Sequence, residues 1–195
     1  YTMKSFLLCA LSILCSACAT SSMGVLGKNE KLEVPTQSVV VLGVKPENFL
    51  VALFPGKVEG GQFRLNRWRA GIGGLPENGY SVLKASGGDV LAITKVRHFK
   101  DSSSIIGTDY VPCKGEQTVV FEVPAAKVIY IGDVSYRASG DSLHVSYSRE
   151  FDMARKFIDE NYPGLFGRLE QWTYDLLPTD VPCAQTIYVS VPSVK

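Results

Sequence analysis

The chain has 195 residues, 46% hydrophobic and 20% charged, a composition that suits one folded domain of ordinary size and excludes a disordered chain. Twenty basic residues nearly cancel nineteen acidic ones, and a net charge of +1 leaves no electrostatic footprint for nucleic acid. Of the five cysteines, Cys9, Cys15 and Cys18 lie near the N-terminus, and Cys113 and Cys183 lie in the body.

The N-terminal segment is an address rather than structure. Met3 reads as a translation start, Lys4 as a short positive region, and residues 6–14 as an apolar run of signal-peptide length. That run is too short for a membrane-spanning helix, which needs about 20 residues. Small residues follow, Ser16 and Ala17 before Cys18 and Ala19 after it. The segment resembles a bacterial lipoprotein signal: Ser16, Ala17 and Cys18 match the last three lipobox positions, and Cys15 departs from the usual aliphatic residue. The resemblance implies cleavage before Cys18 and a lipid thioether on its sulfur. Ala19, a residue other than Asp, implies the periplasmic face of the outer membrane. The rival reading is ordinary secretion through an A-x-A site at Ala17-Cys18-Ala19. Residues 1–18 are thus expected to be the signal ending at the lipidated cysteine, 19–37 a flexible tether and 38–195 a single domain. Fully extended, the tether would reach roughly 60 Å.

In the body, residues 38–44, 49–54, 62–68, 80–85 and 90–99 read as strands, separated by loops at 70–79 and 100–109. In 62–68, Phe63 and Leu65 alternate with Gln62, Arg64 and Asn66, which suits a half-exposed strand. Residues 119–123 and 128–134 are apolar at nearly every position, as expected for strands covered on both sides. Pro124 to Lys127 separate them, and the pair reads as a central β-hairpin. Residues 142–148 alternate cleanly, with Leu143, Val145 and Tyr147 on one face. A helix is predicted over 150–161, with Phe151, Ala154, Phe157 and Ile158 as its apolar stripe and Pro163-Gly164 as its stop. A second, shorter helix is predicted over 165–176, and a last strand over 186–191.

About nine short strands at this spacing predict a mainly β fold, an antiparallel sandwich of immunoglobulin-like or prealbumin-like type, with one or two helices near the C-terminus. Over 38–148 the strand arrangement resembles that of small bacterial envelope lipoproteins with such a domain.

Several constellations carry candidate chemistry. Cys113 and Cys183 each follow Val-Pro and precede a strand, which suggests that both strands start at one end of the domain. An oxidising compartment would permit a disulfide closing about 70 residues, worth roughly 4 kcal/mol in the chain-entropy model. The alternative is two buried thiols. The paired spacing of a zinc site is missing, and no metal or cofactor is expected. His98 and His144 are the two histidines of the chain, His144 on a polar strand face. Ser102 to Ser104 form a polar loop with no G-x-S-x-G elbow around them. The glycines at Gly71, Gly73 and Gly74 match no phosphate-binding fingerprint. Arg64, Arg67, Trp68 and Arg69 concentrate residue types favoured at interfaces and form the candidate partner-binding patch.

No catalytic set is legible. The sequence therefore predicts a non-catalytic, lipid-anchored envelope module that binds an envelope protein or a cell-wall component. The alternatives are a periplasmic hydrolase, which needs a histidine to converge with a nucleophile or metal, and an accessory lipoprotein of a secretion or efflux assembly.

Overall fold

The computed structural model describes residues 24–30, 32, 36–101, 104, 106–113 and 115–183, and the backbone of 187–190. The segment expected as a signal, including Cys18, and Ser102 and Ser103 lie outside the described residues. In chain order the strands are β1 (Gln37–Lys45), β2 (Phe49–Glu59), β3 (Gln62–Leu65), β4 (Ile72–Gly74), β5 (Tyr80–Ser86), β6 (Val90–Phe99) and β7 (Gly107–Tyr110). They continue with β8 (Gln117–Glu122), β9 (Val128–Ser139) and β10 (Ser142–Ser148). The helix α1 (Phe151–Asn161) and a 3-10 turn (Pro163–Leu165) follow, then β11 (Leu169–Gln171), β12 (Asp175–Pro178) and β13 (Ile187–Ser190).

These strands build the expected mainly β sandwich. One sheet runs β5-β1-β9-β10-β13, with β11 also on β9. The other runs β3-β2-β6-β8-β12, with β4 on β2 and β7 on β6. Most pairings are antiparallel; β1 with β9, β9 with β11 and β10 with β13 are parallel. Val40, Leu42 and Val44 of β1 meet Val51, Leu53, Leu91, Ile93, Val119 and Phe121 of the facing sheet in the central core. Val39 and Val41 point the other way, with Val128 and Tyr130, under Ala154, Phe157 and Ile158 of α1. Covering both faces is what makes β1 and β9 apolar at nearly every position.

The predicted hairpin over 119–134 does not form. β8 and β9 belong to different sheets, and the corner between them crosses the sandwich. The crossing is stitched to a second one between β5 and β6: Val123 N–H donates to Asp89 O at 2.8 Å, and Gly88 N–H to Val123 O at 2.7 Å. The Ser38 hydroxyl donates to Pro124 O and accepts from Lys127 N–H at 3.1 Å. These partners satisfy the corner without a ladder between the strands it joins. True two-residue hairpins occur instead at Gly60-Gly61, where both φ are positive (58° and 73°), and at Gly140-Asp141.

Two further expectations change. The strand at 62–68 ends at Leu65, and 66–69 is a turn. The second helix over 165–176 is replaced by the 3-10 turn and two edge strands, β11 on β9 and β12 on β8. Gly167, at φ +66°, breaks any helix there, and free strand edges claim the residues that follow. The helix at 151–161 and the strand at 142–148 form as predicted.

The second sheet curls at one end. Phe63 of β3 bridges to Thr179, just beyond β12, and Asp180 N–H donates to Phe63 O at 3.2 Å. Phe63, Ala92 and Val120 fill the inside of this curl as a separate small core. Gly56, opposite, is a close approach: a Cβ there would run into the Phe63 ring and the Arg64 carbonyl.

Part of the segment expected as tether is also ordered against the domain. Leu26 N–H donates to Val82 O at 2.9 Å and its side chain is buried; Lys84 N–H donates to Gly24 O. Lys28 pairs with Glu77, and Glu30 with Lys84 at 2.5 Å. The free edge of β5 explains the docking, since it offers unpaired backbone groups.

Candidate functional site

The site is built on the curl. Along β3, Phe63 points into the small core and Arg64 points out. Asp180 clasps the strand end: its carboxylate accepts from Leu65 N–H at 3.0 Å and lies 3.7 Å from the Arg64 guanidinium. Next the chain reverses. Asn66 N–H donates to Pro55 O at 3.0 Å, and Trp68 N–H to the Asn66 side-chain oxygen at 3.0 Å. Arg69 closes the turn with a two-pronged pair to Asp89, at 2.6 and 2.7 Å. This bidentate contact holds the Arg69 guanidinium above its ordinary pKa.

The turn presents Trp68 outward, 97% exposed. Arg64, Arg67 and Trp68 line one open groove of about 350 Å³ together with Lys57 and Leu65. Lys57 pairs with Glu59 at 2.6 Å and Arg64 with Asp180. Arg67 makes no ion pair among the described residues. The groove thus carries one uncompensated guanidinium beside an exposed indole, a pairing suited to an anionic group. Of the four residues predicted for this patch, three converge and Arg69 does not: its charge is engaged in holding the turn. Trp68 sits on a turn beyond the end of β3, so strand alternation does not set its direction.

The two body cysteines flank β8 and β12. Cys113 lies four residues before β8 and Cys183 five residues after β12, and these strands pair antiparallel, with Gln117 opposite Pro178. Gly115 N–H donates to Thr179 O at 3.4 Å, so the two segments leave the sheet side by side. Cys113 is half-buried and Cys183 exposed, and the structure shows no disulfide between them. β12, whose first two residues fall in the helix predicted over 165–176, brings these segments together, and β13, which lies in the other sheet, does not.

The histidines do not converge. His98 stacks on the buried ring of Phe49 at 4.5 Å in one sheet. His144 lies on the outer face of the other sheet, between core residues Leu143 and Val145. Among the described residues no group of three or more His, Cys, Asp or Glu side chains could hold a metal.

Two charged clusters were missed from sequence. Asp109 on β7 takes Arg97 at 2.5 and 2.9 Å and Lys95 at 2.7 Å, which draws its carboxyl down to about 2. Asp133 is buried at 2% exposure. It accepts from the Tyr130 hydroxyl and from Glu150 N–H at 2.8 Å, at the entrance to α1. Burial, hydrogen bonding to Asp133 and its charge keep Tyr130 protonated far above its ordinary range. Burial, then the charges of Asp133 and Glu150, push Tyr80 up to about 12. A lone carboxylate inside the apolar run 128–134 was the available signal.

Searches of known protein families, curated proteins and solved structures found no match.

Proposed function

We propose that this protein is a non-catalytic module of the bacterial cell envelope, held on the membrane by acylation at Cys18, which binds an anionic group through the groove of Arg64, Arg67 and Trp68. The observation that carries the binding reading is the hydrogen-bonded turn that projects Trp68 into solvent beside Arg67, which makes no ion pair among the described residues. A large side chain is left in water at a hydrophobic cost, and tryptophan and arginine are enriched at binding hot spots. The separation of His98 and His144 speaks against the hydrolase reading.

Two experiments test the parts. Replacing Cys18 with Ser should release the exported chain from membranes or leave its precursor uncut; a variant that is processed and sediments with membranes as before would remove the anchor. Replacing Arg64 and Arg67 together by Ala should abolish ligand capture while leaving the melting temperature within a few degrees, since both are surface cations. Full retention of every species recovered with wild type would remove the site.

A further inference from the structure

We propose that the anionic partner of this groove is the bilayer itself, the turn 66–69 resting on phospholipid headgroups and fixing which face of the domain looks at the membrane. This rests on the anchored reading above and names the partner of its site.

The placement follows from the docked N-terminal segment. Gly24 lies against Ile72, where a Cβ on the glycine would strike the Ile72 side chain, and its carbonyl accepts from Lys84 N–H. Ile72 is four residues beyond Trp68, so the two Cα atoms lie within about 15 Å. From Cys18 to Gly24 there are six residue steps, at most about 22 Å of chain. Acyl chains on Cys18 would therefore hold the Trp68 turn near the bilayer surface. The full 19–37 tether would not, but residues 24–30 are committed to the β5 edge.

The chemistry of the turn fits an interface between water and lipid. An indole is favoured at headgroup depth, where its ring is apolar and its N–H is wet. A basic residue near an anionic leaflet is attracted to it, and Arg67 makes no ion pair among the described residues. Val25, beside Gly74, and Leu75 extend the apolar surface along the same edge, at 47% and 45% exposure. The turn is already ordered by Asn66 and by the Arg69–Asp89 pair, so seating it on a surface orders little more. A groove of about 350 Å³ admits a headgroup phosphate, whereas one indole on a turn offers little of the area a stable protein interface buries.

The test uses full-length protein purified from the membrane fraction and reconstituted into phosphatidylethanolamine–phosphatidylglycerol vesicles carrying brominated acyl chains. The chain has two tryptophans, and Trp172 is half-buried with its indole N–H donated to Glu122 O at 2.8 Å. Wild type should show bromolipid quenching that disappears in Trp68→Phe. Quenching should weaken in Arg67→Glu and on phosphatidylcholine vesicles. Equal quenching of wild type and Trp68→Phe in a chain that still sediments with vesicles would overturn the membrane contact and leave the anchor standing. A chain that neither sediments nor shows Trp68 quenching would overturn both. Capture of a protein by wild type that Arg67→Glu loses, with Trp68 unquenched, would assign the turn to a protein partner and overturn the lipid assignment.

Discussion

Asp133 shows how one residue can set the position of a whole element. It follows Gly132, at φ +117°, beside the irregularity between Val41 and Gly43 on β1. Its Oδ1 has no hydrogen-bond partner among the described residues and faces Gly43, where any Cβ would collide with the carboxylate. Burying a carboxylate costs several kcal/mol, which only good hydrogen bonds offset. Its other oxygen takes both the Tyr130 hydroxyl and Glu150 N–H, and α1 has no side-chain cap of its own. Asp133 therefore holds the helix entrance from the strand below. Asp133→Ala should destabilise the fold by about 2–4 kcal/mol, because it leaves the buried Tyr130 hydroxyl proton without an acceptor and removes one of the two hydrogen bonds of the helix-entry amide, which also donates to Tyr130. Gly43→Ala should cost about 1–3 kcal/mol through overpacking alone. Urea unfolding checks both, and a Gly43→Ala midpoint equal to wild type would mean that β1 and β9 yield freely at this point. The composition made Asp133 visible, as a lone charge in an apolar run. Its role was not, because the partners that define it, Gly43 and Glu150, arrive from elsewhere in the chain.

At the scale of elements, β7 depends on charge more than on length. It is four residues long, and the carboxylate of Asp109 is gripped by Lys95 and Arg97 of β6. The folded carboxyl titrates at about 2 against an ordinary 3.8. A depressed folded value gives stability that is present above pH 3.8 and lost as pH falls through about 2. The side chain is about a third exposed, so solvent screening limits the effect to about 1 kcal/mol. Asp109→Asn should therefore be weaker than wild type by about that amount near neutrality. The two unfolding curves should converge near pH 2. A gap that persists at that pH would trace the loss to packing and not to charge. The elements legible in the sequence are those whose pattern is local. β10 alternates within seven residues, and α1 places Ala154, Phe157 and Ile158 on one stripe. The elements missed are those decided by distant partners. β11 and β12 carry leucines at helical spacing, yet they lie along edges offered by β9 and β8. The run 119–134 looks like a hairpin until Asp89 and Ser38 hold its corner across the sandwich.

For the whole molecule, the same non-local pairing decides what the two body cysteines can do. The matching Val-Pro-Cys entrances suggest a shared end because each leads into a strand. The fold supplies another reason: β12 runs antiparallel beside β8, and the chain beyond each strand continues past Thr179 and Gly115 together. In the candidate patch, likewise, the arginines and tryptophan are evident as composition, while the turn and the Asp180 clasp that aim them are not. A bond between Cys113 and Cys183 would tie the edge strand β12 to β8 at the end where the second sheet curls onto Phe63. Closing a loop of about 70 residues lowers the entropy of the unfolded chain, by roughly 4 kcal/mol in the loop-entropy account, provided the native geometry is unstrained. In an oxidising envelope the bond should form. The exported protein should then weigh two hydrogens less than its reduced form, with Cys113 and Cys183 in one cross-linked peptide. Reduction should lower the melting temperature, with the earliest loss of amide protection in β12 and β3, which share the curl. Alkylation of both cysteines in freshly exported protein, without prior reduction, would show that the curl is held by Asp180 and Phe63 alone.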